Sequence, residues 1–193
     1  TPQTLTIYAQ DSAGNLGQTT AILEKIDNTA PTITSIKQTG VGYHKALITV
    51  EANDVNSNLK QSGSGVCNYG IAAASSADNI TWVSGTSSAV LTVATIGNYV
   101  VYAQDNVGNI SAAKPFTVSS IKYGVTFNAN GGSGTMARQD IINNTGTALT
   151  KNTLAKTGYT FSGWNTATNG SGTSYKDGQT VIINSDITLY ANW

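Results

Sequence analysis

The chain has 193 residues with ten basic and ten acidic side chains, so it carries no net charge, and nucleic acid or an anionic membrane surface is not its expected partner. Charged residues make up only 10% of it, against the usual quarter or so in globular proteins. There is no long apolar run for direct membrane insertion, and the single cysteine, Cys67, cannot close an internal disulfide, so stability has to come from packing or metal. No signal peptide heads the chain, which starts inside a strand-like pattern and reads as a fragment of something larger.

In chain order, the first signal is an internal repeat. Tyr8-Ala-Gln-Asp-Ser-Ala-Gly-Asn15 returns as Tyr102-Ala-Gln-Asp-Asn-Val-Gly-Asn109, displaced by 94 residues. A period near one hundred is the size of an immunoglobulin-like sandwich. Residues 1–28 are therefore expected to be the last strands of a truncated module, and residues 29–122 a complete one. Within the complete module the expected strands are Ile33 to Gln38, Lys45 to Ala52, Val66 to Ala74, Ile80 to Val83, Ala89 to Ala94, Gly97 to Asp105 and about Ala112 to Ser119, with a polar loop from Asn53 to Gly65. No ten-residue stretch sustains a helical apolar period, so the fold class is all-β.

The stretch Gly97 to Gly108 resembles strand F of immunoglobulin domains, with Val101 at the position of the usual cysteine and Tyr99 two residues before it. That resemblance implies a disulfide-free sandwich, a tyrosine corner at Tyr99 and a core position for Val101 facing Ile48 or Val50. In the truncated copy Leu5 replaces the tyrosine. The repeated Asp-x-x-Gly-Asn and the junction Asp27-Asn-Thr-Ala-Pro-Thr32 together resemble the bacterial Ig-like repeats strung along surface adhesins and secreted enzymes.

Residues 123–193 have a different grammar. Gly124-Val-Thr-Phe-Asn-Ala-Asn-Gly-Gly132, Gly158-Tyr-Thr-Phe-Ser-Gly-Trp-Asn165 and Asp186-Ile-Thr-Leu-Tyr-Ala-Asn-Trp193 follow one another in an order and spacing similar to the B repeat of bacterial internalins, the Listeria–Bacteroides repeat. The resemblance implies a small β-grasp-like module built as a single curved sheet, with Trp164 and Trp193 in the core rather than on a sugar-binding surface. Strands are expected at Tyr123 to Asn130, Thr147 to Leu154, Tyr159 to Thr166, Thr180 to Ile183 and Ile187 to Trp193.

No catalytic constellation stands out. His44, the one histidine, sits in a Gly-Val-Gly-Tyr loop without a positioned serine or orienting acid, and Glu51 and Asp54 read as solvated acids at a strand end rather than a glycosidase pair. Asp11, Asp27 and Asp54 lie at strand ends and at the first junction, and two readings of them stand. One is a calcium site, as resembling adhesin repeats hold between neighbouring domains. The other is a plain turn, in which the aspartate bonds its own backbone and glycine takes positive φ. Asp105 is expected to hold no metal, because the second junction has no counterpart of Asp27. Trp82 is the candidate carbohydrate platform, against a sandwich-core position.

These readings converge on a non-catalytic stalk or spacer of a bacterial surface, cell-wall or secreted multidomain protein, with possible adhesion. The expected partners are neighbouring domains of the same chain and a host surface protein or glycan. The alternative is an accessory carbohydrate-binding region of a secreted polysaccharide-degrading enzyme, with Trp82 as its contact.

Overall fold

Alternation of apolar and polar side chains governs most strands, and the result is an all-β, sandwich-like architecture. The computed structural model describes residues 3–23, 27–56 and 61–193; residues 1–2 and 24–26 of the expected truncated module and 57–60 of the expected polar loop lie outside the described residues. The one helical turn among them is the 3-10 segment Ala74–Ser76, and no helix is long and apolar enough to cross a membrane.

A hairpin comes first, β1 (Gln3–Gln10) against β2 (Leu16–Leu23), antiparallel with Gln10 opposite Leu16. Then follow β3 (Thr32–Gly42), β4 (Lys45–Asn53), the short pair β5 (Val55–Asn56) and β6 (Gln61–Ser62), and β7 (Val66–Ala73). Next are β8 (Thr81–Ser84), β9 (Ser88–Val93), β10 (Gly97–Asp105) and β11 (Lys114–Val118). They assemble as a three-stranded sheet, β3-β4-β9, and a four-stranded sheet, β11-β10-β7-β8. On β4 every second residue (Ala46, Ile48, Val50, Ala52) is buried, as are Ala89, Leu91 and Val93 on β9 and Tyr99, Val101 and Ala103 on β10. That period of two gives each sheet one apolar face, whose removal from water is the main stabilising term.

The remaining strands are β12 (Lys122–Asn128), β13 (Gln139–Ile142), β14 (Thr147–Ala148), β15 (Gly163–Asn165), β16 (Ser174–Tyr175), β17 (Thr180–Val181) and β18 (Ile187–Asn192). Instead of the single sheet expected, they form a five-stranded sheet, β13-β12-β18-β15-β16, and a separate two-stranded ladder, β14-β17. The β12–β18 pair is parallel, with Val125 opposite Ile187 and Asn128 opposite Tyr190. Trp164 is fully buried at the centre of this core, 4.9 Å from the ring of Phe127 and 5.0 Å from that of Phe161. Gly163 makes this possible: its φ is +143°, and a Cβ there would stand 2.8 Å from the carbonyl oxygen of Tyr175.

The chain divides into two compact units. The first comprises Thr1–Lys37, Thr49–Leu91 and Tyr99–Phe116, and the second Gln38–Ile48, Thr92–Asn98 and Thr117–Trp193.

Candidate functional site

In the first unit three aspartates from distant parts of the chain converge. One carboxylate oxygen from each of Asp27, Asp54 and Asp105 lies within 4.8 Å of the other two. Asp27 leads into β3, Asp54 follows β4 and Asp105 ends β10, so strand ends that meet in the fold bring them together. Backbone amides orient each one. Asp27 accepts from Thr29 N (3.1 Å) and Ser64 N (2.6 Å), and Asp54 Oδ2 accepts from Gly65 N (2.7 Å). Asp105 Oδ1 accepts from Val107 N and Asn109 N, and its Oδ2 from Asn109 Nδ2 (2.7 Å). The Ser64 amide holds the Asp27 carboxyl below its ordinary pKa, against the opposing push of burial.

The donor set suits a hard divalent cation. Oxygens bound at about 2.4 Å to one ion cannot stand more than about 4.8 Å apart, and the three carboxylates meet that limit. Asp54 Oδ1 is inaccessible to solvent and has no hydrogen-bond partner, which is costly for a carboxylate oxygen. Asp27 and Asp54 are thus in the cluster, and Asp105, assigned no metal from the sequence, is its most buried member at 1% exposure. The linear pattern hid it because its partners come from far away in sequence, Asp27 from the first junction and Asp54 from the end of β4.

Asp11 stands elsewhere, in the exposed β1–β2 turn, where Oδ1 accepts from Ala13 N and Asn15 N and Oδ2 from Asn15 Nδ2. Cys67 is half-buried, its thiol donating to Asp105 O at 3.0 Å. Tyr99 and Val101 are buried on β10.

Trp82 lies on β8, an edge strand, and is 36% exposed rather than in the core. Register sets Trp82 and Tyr102 on either side of Gly70, and Ser84 and Gln104 on either side of Asn68. The indole leans over Gly70, where a Cβ would stand 2.9 Å from Trp82 Cε3. The neighbouring row is hydrogen-bonded, Asn68 Nδ2 to Gln104 Oε1 (3.1 Å) and Ser84 Oγ to Asn68 Oδ1 (3.3 Å). A glycine inside an apolar strand was the available signal for this close approach.

In the second unit, Trp193 is half-buried beside Trp164's cluster and donates from Nε1 to Ala129 O at 2.9 Å. Asn165, next to Trp164, is fully buried. Its Nδ2 meets Gly170 O, Gly172 O and Ser174 Oγ, and its Oδ1 accepts from Ala167 N and Gly172 N, so one side chain closes the whole 166–173 loop. His44 has φ +45° in an exposed turn, its ring stacked on Tyr43 and its Nε2 3.1 Å from Asp186 Oδ1.

Residues 123–192 match the Listeria-Bacteroides repeat domain. The chain is 50% identical over 44 residues, 22% of its length, to a protein of Evansella cellulosilytica named "Putative Gly-rich membrane protein". It is 46% identical over 48 residues, 24% of its length, to another from that organism named "Putative membrane protein". These matches span 5% and 7% of the two relatives. No solved structure matches the chain.

Proposed function

We propose that this chain is a non-catalytic spacer from a bacterial cell-surface or secreted multidomain protein, in which Ig-like β units carry a Listeria–Bacteroides repeat. The observation that carries this reading is that the motif residues of the matched segment serve its framework: Trp164 fills the core and Asn165 closes a loop. A repeat whose signature is spent on folding works as a building unit, and its role is mechanical separation of other domains from the cell envelope. Protease treatment of intact cells producing the full-length protein tests the location. Loss of an antibody epitope placed in this chain is the expected result, and full protection of the epitope in sealed cells contradicts it.

The acidic cluster gives the spacer a cation clip. Calcium held by Asp27, Asp54 and Asp105 would neutralise three converging carboxylates and tie the residues before β3 to the ends of β4 and β10. Titration calorimetry after chelation is the test. Binding heat that disappears in Asp54→Asn supports the clip, and no heat with an unchanged melting temperature removes it.

A carbohydrate-contact reading is favoured by the uncharged row Trp82–Gly70–Tyr102 beside Ser84–Asn68–Gln104, which joins aromatic surface to amide hydrogen-bonding groups. A glycan array on the whole chain tests it. Specific binding lost in Trp82→Ala supports a sugar-binding role, and silence across the array leaves the spacer role alone.

A further inference from the structure

The first and last strands of the 123–192 repeat, β12 and β18, are neighbours at the middle of its five-stranded sheet, and they run parallel. The direction matters when tension enters before β12 and leaves after β18. Parallel strands pulled from opposite ends slide along each other, so every bond of the ladder resists at the same moment. Strands pulled apart from one shared end instead open one bond at a time. Four consecutive residue pairs are in register here, from Val125–Ile187 to Asn128–Tyr190.

Three side-chain bonds fasten the same two segments outside the ladder. At the starting end, Asp186 Oδ1 accepts from Gly124 N at 2.8 Å. At the finishing end, Asn130 Nδ2 donates to Ala191 O at 3.0 Å, and Trp193 Nε1 donates to Ala129 O at 2.9 Å. Val125, Phe127, Leu189 and Ala191 are all buried, so water has poor access to replace the ladder bonds while they are loaded. The flanking strands β13 and β15 keep both partners off the sheet edge.

We infer that the β12–β18 pair is a shear clamp that holds this module folded under tension along the chain, with Asp186, Asn130 and Trp193 as its side-chain fasteners. This rests on the spacer reading and adds to it a direction-dependent resistance to force. Unfolding under force is a matter of rate, set by the bonds broken on the way to the barrier, so pulling direction changes it while equilibrium stability stays the same.

The test is single-molecule force spectroscopy on the whole chain carrying Cys67→Ser and paired cysteine handles. Handles at Ser119→Cys and on a residue appended after Trp193 load the pair in shear; handles at Ser119→Cys and Ser185→Cys load the same pair from one end. At equal loading rate the shear geometry is expected to need about threefold more force or greater, since it loads the registered pairs together. Trp193→Phe, which keeps an aromatic ring but loses the N–H, and Asn130→Ala are expected to lower the shear force. Both should leave the one-end force unchanged, because their bonds lie at the far end of that path. Equal forces in the two geometries, or variants that lower both forces alike, overturn the clamp. Surface exposure of the epitope would stand in either case, so the two readings fail separately.

Discussion

Asp11 and Asp105 hold identical turns in opposite environments. Each grips the asparagine four residues on by two bonds, Asp11 to Asn15 N (2.9 Å) and Nδ2 (2.8 Å), Asp105 to Asn109 N (2.8 Å) and Nδ2 (2.7 Å). Asp11 is exposed, while Asp105 is 1% exposed and within reach of Asp27 and Asp54. The turn geometry and a place in an acidic cluster are therefore compatible: the repeated Asp-x-x-Gly-Asn makes the turn, and the fold decides whether other carboxylates join it. Asn109 also reaches Asp27 O at 3.3 Å, linking the turn to the junction.

Removing the two aspartates should accordingly have unequal effects. Asp105→Ala removes a buried carboxylate that accepts three hydrogen bonds, from Val107 N, Asn109 N and Asn109 Nδ2, and is expected to cost about 2–3 kcal/mol. Asp11→Ala opens an exposed turn whose amides water can satisfy, and the chain's main unfolding transition should stay in place. Urea midpoints of the two variants check this, and equal losses contradict it.

Asn165 tests whether the Trp-Asn pair of the C-terminal motif is framework. Asn165→Ala removes a fully buried amide that serves Ala167 N and Gly172 N as acceptor and three oxygens as donor. The expected loss is about 2–3 kcal/mol, because one fully buried amide is removed from five hydrogen bonds that hold the loop in place. The exposed Asn169→Ala, in the same loop, should cost far less. Denaturant unfolding followed by tryptophan fluorescence separates the two outcomes.

Strands whose alternation is uninterrupted were legible from the residues alone. The strand expected over Gly97 to Asp105 is β10, residue for residue, since it opens at a glycine with φ +147° and closes at the Asp-x-x-Gly turn. Thr147 to Leu154 fared differently: only Thr147 and Ala148 are in a ladder. Leu149 N still donates to Gln179 O, but from Thr150 on side chains accept from the backbone, Gln139 Oε1 from Thr150 N, Asp177 Oδ1 from Asn152 N and Asn152 Oδ1 from Leu154 N. Leu149 and Leu154 are still buried, so the apolar pattern located core residues correctly but not their secondary structure. Of the three acids read together, Asp11, Asp27 and Asp54, the last two do converge, while Asp11 stays in the β1–β2 turn. Asp105 and the Trp82–Gly70–Tyr102 row depend on strand pairing across long separations, which local spacing does not encode.

Gly163→Ala asks how much the core owes to one backbone angle. The residue precedes Trp164, its φ of +143° is open to glycine alone, and the added Cβ would meet Tyr175 O at 2.8 Å. Both penalties act at the β15–β16 pairing, so the loss is expected at about 2–4 kcal/mol. Gly158→Ala, at a left-handed φ of +78° and with open space around it, carries a smaller angular penalty and no clash, and should cost less. Melting temperatures of the two variants decide it, and a Gly163→Ala protein as stable as Gly158→Ala would show that the contact with Tyr175 relaxes freely.

Acid and alkali should each act on the bond between Tyr43 and Asp186. Burial is the largest single influence on the Asp186 carboxyl and pushes it up, yet hydrogen bonds from Gly124 N (2.8 Å), Tyr43 Oη (2.7 Å) and His44 together outweigh it and lower its pKa. A carboxyl lowered on folding adds stability that is complete above its unfolded pKa of about 3.9 and is lost as pH falls through the folded value. Tyr43 has the opposite sign: donating to Asp186 raises its phenol. That contribution is complete below about pH 10 and is lost as pH rises through the raised value. Asp11 and Asp27 are lowered as well, so the Asp186→Asn variant keeps part of the acid sensitivity. In Asp186→Asn the melting temperature should therefore fall less steeply with acid than in wild type, and the drop above about pH 10 should also shrink. Both ion-pair partners, His44 and Asp186, are exposed, with side-chain accessibilities of 46% and 42%, so the direct charge attraction adds little and the profile should hardly change with salt. Superimposable pH profiles for wild type and Asp186→Asn would mean that these hydrogen bonds form equally in the unfolded chain.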